Sequence, residues 1–322
     1  MKTVKKPISL LSLILRSKYW FWLLVLGSFL STQAQKFETI EAKSIISQIK
    51  KGKPINIENA EITGDLDFTK AGFYTETKQN ARVIVETPLF FKNCKFRGQV
   101  IGFKEVTDLS IASTFSKNLT FIDCIFYQNF NLNSCYVNSV SDFSSSQFYG
   151  EVHFENSIFN NPVFFNKAIF AKECFFQNAR FRSNLDLSES IFNQNASFQG
   201  SDFYDLALFR LAEFRESLDV SLCTFFKNAS FNFFSIKNKG LFNNCRFEAR
   251  LEFENTKATT IEMEECVFEN DVLFNELDCA SFSINKSLFY KDSPTIDFKQ
   301  KNTTLFTHDD AKYLGQKLLE IK

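Results

Sequence analysis

Histidine, methionine and tryptophan occur only twice each in the 322 residues. With His153 and His308 as the sole imidazoles, little is left for histidine-based catalysis or metal binding. His153 precedes Phe154 and is expected to face solvent as a lone surface group, and His308 with Asp309 and Asp310 reads as the entry to a helix. A phosphate loop, a GxSxG elbow, an HExxH helix and a CxxC pair are all missing, and Gly64, Asp65 and Asp67 in GDLDFT lack the remaining acids of a calcium loop. Neither sign of charge is in excess, with 37 Lys plus Arg against 37 Asp plus Glu, so bulk charge gives no reason to expect a nucleic-acid partner. No catalytic constellation and no cofactor are expected.

What is present is phenylalanine, 42 of them. In NSIFNNPVFFNKAIFAKECFFQNARF, residues 156 to 181, the rings at Phe159, Phe165, Phe170, Phe176 and Phe181 fall alternately six and five residues apart. The same beat runs without a break from Phe121 to Phe253, each exception (Leu132, Val137, Leu187, Val220, Ile236) being another large apolar residue. Fragments at Phe91 to Phe96 and Phe268 to Phe274 carry it outward with slips. A step of five turns an α-helix by about 140°, which scatters alternate rings over separate faces, so the period is not a helical seam.

Two residues before most of the large residues stands a small one, such as Ser157, Ala168, Ala179, Ser190, Ser201, Cys174, Ala196 or Ala207, with Val163, Leu185 and Leu218 as larger apolar occupants of the same position. Residues two apart on extended chain point the same way, so both face inward and the residue between them faces out. ASFQGSDF (196 to 203) and NARFRSNLDLSESIF (178 to 192) then resemble pentapeptide-repeat proteins. The resemblance implies an all-β solenoid, a right-handed quadrilateral parallel β-helix, over residues 89 to 290. Departure from a strict step of five implies about 22 residues per four-sided coil, with two lengthened corners. Nine or so coils at the strand spacing make a rod of about 43 Å. Phe159, Phe181, Phe203, Phe225 and Phe247 should stack in one column.

The ends read differently. Residues 1 to 34 carry Lys2, Lys5, Lys6, Arg16 and Lys18, no acid, the apolar run Tyr19 to Leu30, and small residues up to Ala34. This is the pattern of a secretory signal peptide, the run being short for a membrane span. Its removal leaves 32 basic against 37 acidic residues, an exported and mildly acidic protein in the periplasm or at the cell surface. A membrane-anchored form is expected only if the segment is retained. Residues 35 to 88 should form a cap with a helix at about 41 to 51, where Ile45, Ile46 and Ile49 share a face before Gly52 and Pro54. Residues 291 to 322 should form a second cap, with Asp309 opening a short helix through Ala311, Leu314, Leu318 and Ile321.

Export would normally suggest disulfides among the eight cysteines, but seven of them (Cys94, Cys124, Cys135, Cys174, Cys223, Cys245 and Cys266) occupy the small inward position and read as core. Export and mixed charge also speak against the DNA mimicry of some cytoplasmic pentapeptide-repeat proteins. The functional expectation is a non-catalytic rod, structural or protein-binding, whose partner is an unknown protein or a second copy. Its contact patch is expected at the outward apolar residues Ile158, Phe164, Ile169, Phe175 and Ile191. The alternative is a carbohydrate-active or glycan-binding β-helix with its site at the capping ends, marked by exposed aromatics grouped with carboxylates.

Overall fold

The computed structural model describes residues 37–72, 74–76, 79–292, 294–299, 304–315 and 319–321. The leader expected over 1 to 34 lies outside them. Residues Thr39–Lys322 form one unit, and no helix among the described residues is long and apolar enough to cross a membrane.

One coil shows how the beat becomes structure. Val163 and Phe165 point inward on the first side, Ala168 and Phe170 on the second, Cys174 and Phe176 on the third, Ala179 and Phe181 on the fourth, all buried. Between the first and second sides the chain turns tightly: Lys167 takes φ of 61° and the Ala168 N–H donates to the Phe165 carbonyl at 2.9 Å. The turn between the third and fourth sides repeats this with Asn178 at 56° and the Ala179 N–H on Phe176 at 3.0 Å. These are β-turns whose third residue needs the left-handed region, and they give the step of five. The other two corners, Ala171 to Glu173 and Arg182 to Asn184, hold one residue more and give the step of six.

Each side pairs in parallel with its equivalent in the next coil: Val163 with Leu185, Ile169 with Ile191, Cys174 with Ala196, Arg180 with Asp202. Every large beat residue from Phe121 to Phe253 is buried. The expected column is present, with ring centroids 5.3 Å apart for Phe159 and Phe181, 5.3 Å for Phe181 and Phe203, 4.5 Å for Phe203 and Phe225, and 4.9 Å for Phe225 and Phe247. The protein is thus an all-β parallel solenoid. Eleven strands stack on the fourth side, from Asn80–Val85 to Lys312–Tyr313. At the strand repeat this side is about 48 Å long.

The small inward residue at the tight corner does more than fit. The Ser157 hydroxyl donates to the Leu132 carbonyl at 2.6 Å, Ser201 to Phe176 at 2.6 Å, and the Cys223 thiol to Phe198 at 3.0 Å, each tying one coil to the one before. All eight cysteines are free and buried. Burial pushes the Cys135 and Cys279 thiols up to about 12 and those of Cys174, Cys245 and Cys266 well above their ordinary range.

Regularity fails near the start and at Ser235–Leu241. Near the start, longer coils pair Ile55 with Leu89 and Leu89 with Leu119, and their extra residues make two antiparallel hairpins. One joins Tyr74–Glu76 to Asn80–Val85, the other Phe103–Val106 to Leu109–Phe115, and Asn80–Val85 runs parallel to Ser110–Phe115. At Ser235–Leu241 one strand crosses a corner with a register shift, Phe234 takes the inward site that is small elsewhere, and the interval between paired residues drops from 22 to 21.

The ends also differ from each other. A helix, Ala42–Lys50, lays Ala42, Ile45, Ile46 and Ile49 on the first coils, and Gly52, at φ of 68°, closes it through its N–H on the Ile49 carbonyl at 2.9 Å. The expected helix after Asp309 is replaced by strand. Lys312–Tyr313 pairs with Leu288–Phe289 and Glu320–Ile321 with Thr295–Ile296, while Asp310, at φ of 57°, makes one more tight corner. Ala311 and Tyr313 continue the small and large inward positions, Tyr313 stacking on Phe289 at 5.2 Å, and that packing overrides the three-four-three spacing. Leu318 lies outside the described residues. Coil pairing therefore extends from Ile55 to Ile321, beyond the limits of 89 and 290.

Candidate contact surface

The five outward residues do not form one patch. Successive outward positions belong to successive sides, so Ile158 lies on the fourth, Phe164 on the first, Ile169 and Ile191 on the second, and Phe175 on the third. All five are half-buried. Their axial neighbours are polar in most cases: Phe164 sits between Asp142 and Asp186, and Phe175 between His153 and Ser197. Only Ile169 and Ile191 adjoin, with Gln147 before them and Glu213 after.

Other surface groups are brought together that a residue-by-residue reading misses. His153 is held between Glu155, 3.1 Å from Nδ1, and Glu151, 3.3 Å from Nε2, and stacks on Phe175 at 4.9 Å. The hydrogen bond to Glu155, helped by both carboxylate charges, raises its pKa above the ordinary value. At the wide corner beside it, Tyr127 and Tyr149 stack at 5.8 Å, and the Arg97 guanidinium covers the far face of Tyr127 at 4.3 Å. A notch of about 400 Å³ opens there above Gly150. The signal was the interval: Tyr127 and Tyr149 each follow a beat residue and stand one coil apart.

At the amino-terminal end the hairpins shape a recess of about 290 Å³ lined by Arg82, Phe103, Glu105 and Asn133. Arg82 is engaged there, lying over the Tyr136 ring at 3.6 Å and donating to the Ser134 carbonyl at 2.9 Å. The GDLDFT acids serve the backbone: Asp67 accepts from the Thr69 N–H at 3.1 Å and pairs with Lys70 at 2.9 Å, and Asp65 accepts from the Gln99 N–H at 2.9 Å. His308 lies against Phe306 at 5.2 Å. Among the described residues no group of three or more His, Cys, Asp or Glu is placed to hold a metal ion.

Comparison with known families finds a model described as pentapeptide repeats (9 copies) matching residues 143–191. Residues 143–191 thus carry pentapeptide repeats. The matched stretch lies where the repeat is most regular, and the same pairing continues on both sides of it. No curated protein and no solved structure matches the chain. The repeat accounts for the inward rings and the tight corners, and it leaves the outward residues to be explained individually.

Proposed function

We propose that this pentapeptide-repeat protein is an exported, non-catalytic rod that serves as a structural or protein-interaction module. The observation carrying this reading is the division of labour along the coils. From Phe121 to Phe253 the inward positions hold stacked rings and small residues, while the outward side chains change from coil to coil on an unchanging frame. A frame of this kind displays contact residues at fixed spacing. Export rests on the composition of residues 1 to 34.

The adjoining pair Ile169 and Ile191 is the proposed point of contact with a partner protein or a second copy. Photo-crosslinking from position 169 in the native envelope is expected to give a specific product that the Ile191→Lys change abolishes, with sedimentation equilibrium separating a second copy from a different protein. A crosslink insensitive to Ile191→Lys, or turnover of a polysaccharide by the purified chain, contradicts this reading.

A further inference from the structure

The column of residues that follows the inward ring on the second side runs Arg97, Tyr127, Tyr149, Ala171, Asn193 and Arg215. Arg97 covers one face of Tyr127 and Tyr149 covers the other. The register places only the methyl group of Ala171 on the far side of Tyr149. The stack therefore stops one ring short, and Tyr149 is 49% exposed. Its hydroxyl lies 3.1 Å from Gln147 Oε1 as a hydrogen-bond donor, which fixes the ring orientation.

The next column supplies the floor. A Cβ on Gly150 would lie 2.4 Å from the Gln128 carbonyl carbon and 2.5 Å from the Asn129 nitrogen, so only glycine fits against the preceding coil, and Gly150 lines the notch together with Gln128 and Asn129. Glu151 and Glu173 stand on the rim. Glu151 is steadied by the Asn129 amide and by His153 Nε2, both at 3.3 Å, and Glu173 accepts from the Asn195 amide at 3.4 Å. Each carboxylate keeps acceptor capacity for further donors.

An open aromatic face next to positioned acceptors, in a hollow the size of one or two sugar rings, suits a ligand with an apolar ring face and a rim of hydroxyl donors. Lys172 lines the same notch and disfavours a cation, while the two carboxylates disfavour an anion. We propose that this notch is a subsite for a neutral pyranose unit of an oligosaccharide, stacked on the free face of Tyr149 and donating hydroxyl hydrogen bonds to Glu151 and Glu173. The site lies on the side of the rod, away from its ends, and goes beyond the interaction reading because it requires no partner protein.

The test is a glycan array carrying neutral, acidic and amino oligosaccharides, probed with the fluorescently labelled full chain. Neutral glycans are expected to retain the protein. Retention should fall at least tenfold for Tyr149→Ala, and equally for Ala171→Tyr, which completes the ring stack and fills the free face while keeping every carboxylate. Tyr204→Ala, which breaks the remote Tyr204 and Phe226 stack, should leave retention unchanged. Circular dichroism and thermal melting of each variant report whether it is folded. Retention of acidic or amino glycans alone, no retention of any neutral glycan, or full retention by folded Ala171→Tyr overturns the proposal.

Discussion

Replacing Phe203 by Ala tests whether the ring columns hold the rod together. The ring is 1% exposed and lies between Phe181 at 5.3 Å and Phe225 at 4.5 Å, with Phe198 and Phe209 at its edges at 6.2 and 6.4 Å. Truncating a buried Phe costs about 3–5 kcal/mol, the spread reflecting how far the site can collapse. Here collapse is resisted on both sides, because the strands of Phe181 and Phe225 are fixed in register with that of Phe203. Two stacked contacts, each worth about 0.5–1.5 kcal/mol beyond area burial, are lost as well. The expected loss is therefore in the upper half of the range, about 4.5 kcal/mol. The control is Phe164→Ala, an outward and half-buried ring flanked by Asp142 and Asp186, for which about 1 kcal/mol is expected. Urea unfolding followed by far-ultraviolet circular dichroism gives both values, provided the slopes agree between variants. If Phe203→Ala falls within about 1 kcal/mol of Phe164→Ala, the columns are not the main source of stability and the reasoning fails.

Three further outcomes are expected. Because the folded pKa of His153 is raised, its stabilisation should be complete below its ordinary value of 6.5 and vanish as pH rises through the folded value. The melting temperature of the parent minus that of His153→Gln should therefore be largest below the ordinary value and shrink as pH rises above it, and a difference that grows with pH would contradict the clamp. Leu211 sits at φ of 59° and is 43% exposed, so Leu211→Asn should add about 1 kcal/mol of stability, since Asn enters the left-handed region more readily; a loss of stability argues that the leucine is held by packing. The eight buried thiols should resist a disulfide reagent until the chain unfolds, and Cys245→Ser should cost less than about 1 kcal/mol because serine already donates at Ser157 and Ser201; rapid labelling of native protein refutes this.

The core was legible because its signal is cumulative. Each of Phe159 to Phe181 is unremarkable alone, but unbroken repetition to Phe253 leaves only one chain path. Cysteines were legible for the same reason, being read by position and not by type. The surface was not, because outward residues five or six apart look adjacent in sequence while every corner carries them to a new side, which separated Ile158, Phe164 and Phe175. The segment after Asp309 misled because Ala311 and Tyr313 satisfy a coil while Ala311 and Leu314 also fit a helix, and only Phe289 below decides between them. The hairpin of Phe103–Val106 with Leu109–Phe115, which turns at Thr107 with φ of 54°, escaped because it lies between the fragment at Phe91 to Phe96 and the unbroken beat from Phe121, where the period carries no signal.

The two halves of a coil are built alike, each with one tight and one wide corner. Losing 22 residues from the regular stretch would shorten the rod by one strand spacing and keep every later residue on its own side. Losing 11 would leave the beat intact and the rings still facing inward, yet it would send each later residue to the opposite side of the rod. The Tyr149 notch and the outward groups of coils beyond the deletion would then be half a turn out of phase. In such a chain, the core tolerates changes of length in half coils, but any function requiring two distant surface groups on one side permits only whole ones.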